Sequence, residues 1–507
     1  MDRARAVVEL DTVVGPLRRA IDVTSDELVP AAVALLGRGY RLALVSAVDS
    51  TGTMRVVYLF TSGPPDRRVE LVLSIDRAHP EVPSLASVSF PASRFEREVH
   101  DLFGIEPIGH PFLRRLVLHQ HWPEGWHPMR QDAGPAPAMV DDAAPYPFVE
   151  VQGKGVYEIP VGPVHAGLIE PGHFRFSVVG ETILRMKARL WFVHKGVERL
   201  FEGTDADGGL ELAERISGDT AVGHALAYCL AVEDALGIEV PVRASALRAM
   251  LLELERLYNH VADIGAMCND VGFGLANAKA LTLRERLLRL NRLVTGHRLL
   301  RGSVRPSGAS VLALPSLKEL DEIGSQFREI VDLAHGQSTV MDRFAGTAVL
   351  ALEDVEELGV LGVVARASGA GFDARFSHPS RGELLDLVPA RQSAGDVLAR
   401  FEVRVDEFLA SLAALRKYVS GALTLRSFTA DPPAGRASHG TGITESWRGT
   451  IVHRVETNAE GRLTRVKVVD PSFFNWPALS IALADTIVPD FPLVNKSFNL
   501  SYAGNDL

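Results

Sequence analysis

Cysteine is scarce in this chain of 507 residues, which has only Cys229 and Cys268. Two thiols cannot form the disulfide framework of a small secreted protein. One chain with two cysteines also cannot complete a four-thiolate zinc or iron–sulfur site. We therefore expect ordinary structural residues, with Cys229 buried in a helix and Cys268 in or near a turn between helices.

Long hydrophobic runs and an excess of positive charge are also missing. The chain has no stretch of about 18 apolar residues. Its basic start, MDRARAVVEL, has no apolar core of signal-peptide length. The 53 Lys and Arg are outnumbered by 63 Asp and Glu, which gives a formal net charge of −10 at pH 7. The sequence therefore predicts a cytoplasmic protein that does not bind nucleic acid and meets a membrane only through partners.

The common cofactor and hydrolase signatures are absent as well. The sequence has no GxxxxGK(S/T) phosphate loop, no HExxH zinc motif and no GxSxG nucleophile motif. The nearest glycine-rich turn, 272–277, lies between two predicted helices instead of following a strand. It therefore does not predict a dinucleotide site.

Composition and periodicity divide the chain into three parts. Residues 1–128 predict a small α/β domain, because 55–62 and 69–75 are rich in the β-branched and apolar residues of sheet strands. Residues 129–150 are rich in Pro, Ala and Asp and predict an extended linker. Residues 151–507 predict a large, mainly helical domain with short flanking sheets, so the overall class is α+β.

Long helical periods dominate the second domain. Apolar residues recur there at spacings of three and four, which is typical of amphipathic helices with one buried face. The predicted helices are 244–266, 281–300, 317–333 and 396–415. Strand-like sequence flanks them at 151–185 and 442–469.

The N-terminal domain carries a long and specific motif. Residues 95–105 read FEREVHDLFGI, and residues 109–115 read GHPFLRR. An amphipathic helix followed by a turn would explain the apolar spacing but not the second run. Together the two runs resemble the signature of the thirty-kilodalton hydrophilic subunit of respiratory complex I.

Four stretches of the second domain carry a further resemblance. They are 162–181 (with GPVH, EPGHFR and GE), 194–198 (HKGVE), 248–285 (opening with RAMLLELERLYNH) and 445–499 (with ESWRG, DP and DFPLVNKSFN). They resemble the forty-nine-kilodalton subunit of complex I and, still more, the large subunit of membrane-bound nickel–iron hydrogenases of the formate-hydrogenlyase type. Fusion of the two subunits in one polypeptide is typical of that branch. The resemblance implies a hydrogenase-large-subunit-like fold for the second domain.

The chain differs from these hydrogenases at the residues that hold the nickel–iron centre. The hydrogenases hold a nickel–iron centre with two Cys-x-x-Cys pairs, whose soft thiolates suit the metals. At the matching positions this chain has Ser217 and Thr220 in the first pair, and Ser472 and Asn475 in the second. Hydroxyl and amide oxygens are hard, weak donors. We therefore expect no nickel–iron centre and no cofactor bound by this chain alone.

The same scaffold in complex I encloses a quinone headgroup, so the resemblance implies a cavity used for quinone or proton chemistry. It assigns the cavity wall to His165, Glu170, Arg215, Asp219 and Arg448. Glu170 stands at the position of a proton-relay glutamate of the hydrogenases. A second loop histidine of complex I, in a Thr-His-Gly context, is missing here. The alternative for His165 is a loop histidine satisfied by its own hydrogen bonds.

The resemblance assigns five further residues to the surroundings of an iron–sulfur cluster held by a partner: His194, Lys195, Glu253, Arg256 and His260. Spacings of three, four and seven place the last three on one helix face. A histidine beside a cluster would couple its charge to the electron count, because its pKa lies near physiological pH. The alternative is an ion-pair network between helices. Lys195 replaces the arginine of the usual His-Arg-Gly motif and lacks its planar fork.

These inferences combine into one functional hypothesis. The chain would be the fused redox subunit of a hydrogenase-related or NADH:quinone-oxidoreductase-like complex on the cytoplasmic face of the cell membrane. Its partners would be an iron–sulfur small subunit, a ferredoxin-like subunit and membrane-arm subunits. Electrons would come through the iron–sulfur partner from NADH, formate, carbon monoxide or ferredoxin. Two alternatives stay open, a non-catalytic scaffold of such a complex and an active nickel–iron hydrogenase.

Overall fold

A mixed four-stranded sheet forms the N-terminal part of the chain. The computed structural model describes residues 15–50, 52–140, 145–166, 169–380, 388–421 and 437–507. The strands of this sheet are β1 (Leu17–Val23), β2 (Arg41–Ser50), β3 (Thr53–Ser62) and β4 (Arg67–Ile75). Their order is β1-β4-β3-β2, with β1 parallel to β4 and the other pairs antiparallel. The predicted strands 55–62 and 69–75 lie within β3 and β4 and are confirmed.

Two helices, α1 (Ser25–Leu36) and α2 (Phe90–Phe103), pack against this sheet. At the start of α1 the Glu27 carboxylate accepts the Thr24 N–H at 3.0 Å, which satisfies a backbone donor at the helix entrance. α2 ends at Gly104, whose φ of 71° is the left-handed conformation that glycine adopts without strain. A short parallel pair, β5 (Glu81–Pro83) and β6 (Glu106–Ile108), flanks α2.

The described residues 109–140 and 145–155 form turns and irregular backbone without a helix or strand. The division of the chain into domains at 1–128, 129–150 and 151–507 remains a prediction. An antiparallel sheet follows, made of β7 (Val156–Val161), β8 (His173–Val179) and β9 (Thr182–Arg189). The strand-like character of 151–185 is thereby confirmed.

Helices make up most of the centre of the chain. They are α3 (Val197–Leu200), α4 (Ala206–Ala213), α5 (Ala221–Leu236), α6 (Val242–Asp270), α7 (Gly274–Thr295), α8 (Leu317–His335), α9 (Ser338–Phe344), α10 (Leu352–Leu358), α11 (Gly362–Ala367), α12 (Ala374–Ser377) and α13 (Val397–Ser420). The two-residue strands β10 (Val304–Arg305) and β11 (Gly308–Ala309) separate α7 from α8. Within the described ranges, no helix combines the length and apolarity needed to cross a membrane.

The predicted helices agree with these elements except at one place. α6, α8 and α13 contain 244–266, 317–333 and nearly all of 396–415. The prediction of 281–300 is wrong at both ends, because α7 begins seven residues earlier and stops at Gly296, whose φ is 85°. Both cysteines are buried helix residues, one in the middle of α5 and the other in the last turn of α6, as predicted.

A second antiparallel sheet and three helices complete the chain. They are β12 (Ser438–Glu445), β13 (Thr450–Thr457), β14 (Leu463–Val469), α14 (Pro471–Ala482), α15 (Phe491–Phe498) and α16 (Tyr502–Asp506), with a 3-10 turn at Val488–Asp490. β12 lies directly on α5. A Cβ at Gly442 would come within 1.9 Å of the Ala227 carbonyl oxygen, so only glycine permits this approach. The sheet confirms the strand character of 442–469 and, with the rest of the fold, the α+β class.

Buried ion pairs join the N-terminal sheet to the C-terminal one. Arg454 on β13 donates to Glu70 on β4 at 2.9 and 3.1 Å. Arg454 also donates to Glu456, which pairs in turn with Arg55 on β3. Arg454 and Glu70 are 3% and 7% exposed, so water does not screen their attraction.

Replacing Arg454 by methionine should destabilise the chain by about 3–5 kcal/mol, because breaking a buried pair leaves uncompensated carboxylates inside the protein. The midpoint of thermal unfolding of the purified chain measures this loss. Arg289 is the control, since its guanidinium is 76% exposed and forms only a surface pair with Glu285. Arg289→Met should change stability by less than about 0.5 kcal/mol. Equal effects of the two substitutions would contradict a structural role for the Arg454 pair.

Candidate functional site

The structure brings three of the four replaced thiolate positions into one hydrogen-bonded cluster. The Ser217 hydroxyl lies 2.8 Å from the Ser501 hydroxyl, and the Ser501 N–H donates to the Ser472 hydroxyl at 2.9 Å. Ser217 and Thr220 both donate to one oxygen of Asp219 at 3.0 Å. All four hydroxyl-bearing side chains are buried. We name this group, with Asp219 and Arg448, the hydroxyl cluster.

Asn475, the residue at the fourth position, forms hydrogen bonds outside this cluster. Its side-chain oxygen accepts the Leu361 N–H at 2.8 Å, and its amide nitrogen donates to the Leu361 carbonyl at 3.0 Å. This two-point contact closes the start of α11 against α14. Asn475 therefore acts as a structural amide next to the hydroxyl cluster.

A two-point ion pair occupies the centre of the cluster. Both terminal nitrogens of Arg448 donate to the Asp219 carboxylate, each at 2.6 Å. Arg448 Nε donates to the Asn499 carbonyl at 2.5 Å, and the guanidinium lies 4.0 Å from the centroid of the Trp447 ring. A fork of this kind fixes the orientation of both partners as well as their distance.

The pair is permanently ionised. Burial acts to raise the pKa of Asp219, but the Arg448 guanidinium and the neighbouring hydroxyl donors hold that pKa at about 2. Burial acts to lower the pKa of Arg448, but the Asp219 charge outweighs it and raises the pKa. Neither group therefore exchanges a proton near neutral pH.

Helix α6 and the turn after β12 hold the backbone of Asp219 in place. The Asp219 carbonyl accepts from the Tyr258 hydroxyl at 3.1 Å, the Asn259 amide at 2.9 Å and the Trp447 indole N–H at 3.2 Å. These donors converge on the loop that leads into α5. They explain why the short segment between α4 and α5 keeps one conformation.

These donors do not fit a nickel–iron centre. The oxygens at Ser217, Thr220, Ser472 and Asn475 are hard donors, and each is already engaged in hydrogen bonds within the chain. Across the described residues, no group of three or more His, Cys, Asp or Glu side chains is arranged to hold a metal ion.

His165 and Glu170 lie in the loop between β7 and β8, which approaches α16. His165 Nε2 is 2.8 Å from the Gly172 carbonyl, the arrangement expected of a loop histidine satisfied by its own hydrogen bonds. Glu170 accepts the Ala503 N–H at 2.9 Å and thereby attaches the loop to α16. In the part of the chain that the structure describes, neither side chain is hydrogen-bonded to the Asp219–Arg448 pair.

Arg215 is a correction to the predicted cavity wall. Its side chain is exposed, and its guanidinium donates at 2.6 Å to the carbonyl of Glu211 on α4, which ends two residues before Arg215. The physical reason is the helical turn before Ser217, which directs position 215 outward while position 217 faces the core. Arg215 is therefore not part of the hydroxyl cluster.

His194 and Lys195 follow β9 and meet the last residues of the chain. His194 Nδ1 lies 2.7 Å from the Asp506 carbonyl oxygen, and the Lys195 N–H donates to the Leu507 carbonyl at 2.7 Å. Burial lowers the pKa of both side chains. His194 is half-buried and Lys195 is exposed. Their assignment to a partner's iron–sulfur cluster remains a prediction.

Glu253, Arg256 and His260 lie inside the chain and are 3%, 0% and 0% exposed. Arg256 Nε donates to Glu253 at 3.1 Å, and His260 Nε2 lies 2.8 Å from Glu407 on α13. Arg366 on α11 donates to the other oxygen of Glu407 at 2.5 and 2.9 Å. This is the ion-pair network between helices, so none of the three side chains presents itself at a surface toward a partner.

Sequence reasoning missed Glu255, which lies beside the hydroxyl cluster. Its carboxylate accepts the Val222 N–H at 2.7 Å and the Gly223 N–H at 3.0 Å at the start of α5. The side chain is 0% exposed, and burial raises its pKa to about 8, against these two donors. The available signal was spacing, because Glu255 and Asn259 are four apart and share the helix face that reaches Asp219.

A buried histidine pair was also missed. His224 Nε2 lies 3.1 Å from the Asp470 carboxylate, and His224 Nδ1 lies 3.1 Å from His453 Nε2. Burial lowers the pKa of His453 well below its usual range. Asp470 also accepts the Ser472 N–H at 2.8 Å, so the histidine pair continues directly from the hydroxyl cluster. Nothing in the spacing of positions 224 and 453 predicts this contact between two distant elements.

Three known protein families match separate parts of the chain. Residues 21–137 match the family described as respiratory-chain NADH dehydrogenase, 30 Kd subunit. Residues 270–433 match respiratory-chain NADH dehydrogenase, 49 Kd subunit, and residues 195–264 match nickel-dependent hydrogenase. The resemblance to both complex I subunits and to hydrogenases is confirmed.

Similar proteins span most of the chain. Formate hydrogenlyase subunit 5 of Escherichia coli (strain K12) is 32% identical over 449 residues, which are 86% of this chain and 78% of that protein. Hydrogenase-4 component G of the same organism is 33% identical and matches 85% and 77% of the two chains. An NADH-quinone oxidoreductase subunit of Phocaeicola vulgatus is 29% identical and matches 68% and 70%.

A solved structure shares the fold. It is reported as a membrane-bound sulfane sulfur reductase, an archaeal respiratory membrane complex, and it superposes with a TM-score of 0.64 at 23% identity. The match covers 71% of this chain and all of that one. The two relatives that are 32% and 33% identical over 86% and 85% of this chain show that it belongs to the family of fused complex I 30-kDa and 49-kDa-like oxidoreductase subunits that includes formate hydrogenlyase subunit 5.

Proposed function

We propose that the chain is the redox subunit of a membrane-associated oxidoreductase complex that works without nickel. It takes electrons from an iron–sulfur partner, couples them to proton chemistry, and reaches the membrane through its partners. The relatives named above are oxidoreductase subunits, which supports the class of enzyme. The observation that carries the proposal is the pair of a half-buried Asp219 and a buried Arg448 among the replaced thiolate positions.

The residues at and beside the hydroxyl cluster are of two kinds, charged groups that stay ionised and a carboxyl group that can exchange a proton. Asp219 and Arg448 stay ionised, so they hold geometry and electric field constant. Burial raises the pKa of Glu255, which lies on α6 and contacts the start of α5, to about 8, so this group gains or loses its proton near neutral pH. An electron arriving nearby adds negative charge and favours the protonated carboxyl group. Glu255 is therefore our candidate for the proton-exchanging residue.

The cavity behind the hydroxyl cluster suits protons and water better than a quinone. It reaches Asp470 and has a volume of about 60 Å³. Pockets that enclose small organic ligands usually measure roughly 300–1,000 Å³. Its lining does not include His165, Glu170, Asp219 or Arg448, so a quinone at those residues would occupy a different space.

We place electron entry at the segment that follows β9. Lys195 is exposed there, beside the half-buried His194. A cation close to an iron–sulfur cluster favours its reduced, more negative state, because cluster potentials depend on local charge and hydrogen bonds. The ion-pair network around His260 lies deeper and acts on such a cluster only through its electric field.

A non-catalytic scaffold is the second candidate function. Each replaced thiolate position is satisfied by hydrogen bonds within the chain, as in a structural core. A chain that only joins an iron–sulfur subunit to a membrane subunit would need no exchangeable proton beside this core. The experiments below separate the two candidates.

Replacing Asp219 by asparagine in the intact complex should reduce electron-acceptor turnover at least about tenfold, since Arg448 loses its charged partner and turns from its present orientation. Turnover and the set of assembled subunits are measured on the same preparation. Asp207→Asn is the matched control, because Asp207 is exposed on α4.

Two outcomes would reject proton chemistry at this site. An assembled Asp219→Asn complex with unchanged turnover would favour the scaffold. Stoichiometric nickel in the purified complex would favour the hydrogenase alternative.

Replacing Glu170 by glutamine should abolish coupled proton uptake. Glutamine can still accept the Ala503 N–H, so the loop keeps its attachment while its exchangeable carboxyl group is lost. Proton uptake and acceptor reduction are measured together in liposomes that contain the complex. Glu181→Gln, on the exposed turn between β8 and β9, is the control. Unchanged coupling in the Glu170 variant would remove this residue from the mechanism.

Replacing Glu255 by glutamine should change how stability depends on pH. Between its usual pKa of 4.5 and its folded pKa of about 8, the native state binds more protons at Glu255 than the unfolded state. Stability from this group is therefore greatest at low pH and falls as pH rises through that window. Thermal midpoints measured from pH 5 to about pH 8 should fall less steeply in Glu255→Gln than in the parent. Parallel curves would contradict the raised pKa; Glu211→Gln, exposed on α4, is the control.

A further inference from the structure

A small closed cavity lies where helix α2 of the N-terminal part meets the C-terminal sheet. Its volume is about 60 Å³, enough for a few water molecules. Its lining includes Glu98 from α2, Lys467 from β14 and Asp506 from α16. Asp470 and His194 also reach its wall. The cavity therefore connects the N-terminal part of the chain to the back of the hydroxyl cluster.

Two buried carboxylates share one lysine at this cavity. Lys467 Nζ donates to Glu98 at 2.5 Å and to Glu198 at 3.0 Å. Arg465 lies 2.7 Å from the second oxygen of Glu198, and the Val468 N–H donates to the first at 3.0 Å. Glu98 receives its hydrogen bond from the lysine alone. Its other oxygen, Oε2, is buried without a hydrogen-bond partner in the described structure. Glu198 Oε2 also forms no hydrogen bond there, but it lies beside the Arg465 charge, whereas Glu98 Oε2 has no cation of its own.

This asymmetry decides which carboxylate takes a proton. Burial acts on both, but Arg465 and Lys467 hold the pKa of Glu198 at about 2. Burial raises the pKa of Glu98, and the Glu198 charge raises it further against the pull of Lys467 and the more distant Arg465. Arg94, one turn earlier on α2, also acts on Glu98, and Arg199 lines the same cavity. A proton on Glu98 Oε2 would also satisfy the atom that now lacks a partner, because a protonated carboxyl group is a donor.

Asp506 supplies an exchange partner across the cavity. Burial raises the pKa of Asp506 to about 6, against hydrogen bonds from Asn505 and the Val193 N–H. The group thus loses and gains its proton close to neutral pH. It lies at the end of the chain, next to the segment that holds His194 and Lys195.

We propose that Glu98 is a proton-binding site, which exchanges its proton with Asp506 through water in this cavity. In the exchange an O–H bond of the Asp506 carboxyl group breaks and an O–H bond at Glu98 Oε2 forms, with water carrying the proton between them. No electron moves in this step. Proton binding stands on its own, whereas the use of that proton in turnover rests on the function proposed above.

Infrared difference spectroscopy of the intact complex tests the site without requiring turnover. A protonated buried carboxyl group gives a C=O band that shifts in heavy water. The parent should show such bands from Glu98, Glu255 and Asp506 when pH is raised from about 5 to 9, and Glu98→Gln should lack one of them. Glu106→Gln is the control, because Glu106 follows α2 directly but its side chain is 48% exposed. An undiminished set of bands in Glu98→Gln would overturn the proposal.

A second variant keeps the test decisive if Glu98→Gln does not assemble. Lys467→Met removes the cation that opposes protonation, so the band of Glu98 should persist to higher pH than in the parent. A band at the same pH in both would overturn the proposal. Measuring turnover separates proton binding at Glu98 from the proposed redox function. A parent complex that shows the Glu98 band but does not reduce an acceptor would support the proton-binding site and contradict the proposed function.

Discussion

The Asp219 carboxylate and the Arg448 guanidinium share two hydrogen bonds of 2.6 Å, and the arrangement around them follows from keeping that pair together. Removing Asp219 would leave the buried Arg448 guanidinium without its counter-charge. The surrounding donors, Ser217, Thr220 and Trp447, therefore all point toward this pair or its backbone. The hydrogen bonds of the hydroxyl cluster are already formed without an added electron or proton. The chemistry that we propose for it therefore depends on small changes in charge and not on closure around a ligand.

The same constraint operates on a larger scale between α6, α11 and α13. Glu253, Arg256, Arg366 and Glu407 are all buried, and each carboxylate there faces at least one guanidinium. Such networks add little net stability compared with apolar packing, but each member restricts the geometry of the next. The network holds its charges in fixed positions, so its electric field stays constant. When a neighbouring subunit gains or loses an electron, the change in charge therefore acts on the few groups that can still titrate.

The sequence predicted the fold better than the contacts within the site. Apolar spacing located α6 and α13, since a buried helix face leaves a clear period. The same spacing extended α7 past Gly296, because periodicity does not register a left-handed glycine. Motif positions brought Ser217, Asp219 and Arg448 together, but they also assigned Arg215, which the local helix turns outward. The role of Glu255 depends on its burial against α5, which emerges only when distant segments pack.

Titratable carboxyl groups in the interior argue for a working subunit over a passive one. One unit of pKa corresponds to about 1.4 kcal/mol between protonation states. At neutral pH the raised pKa values of Glu255 and Asp506 therefore reduce stability relative to well-paired groups. A scaffold would need neither, since apolar residues of similar volume would pack without that cost. Both groups lie within reach of the hydroxyl cluster, one on the α5 side and the other across the cavity that reaches Asp470. A fixed ion pair with an exchangeable proton on either side suits the coupling of electrons to protons that we propose for this subunit.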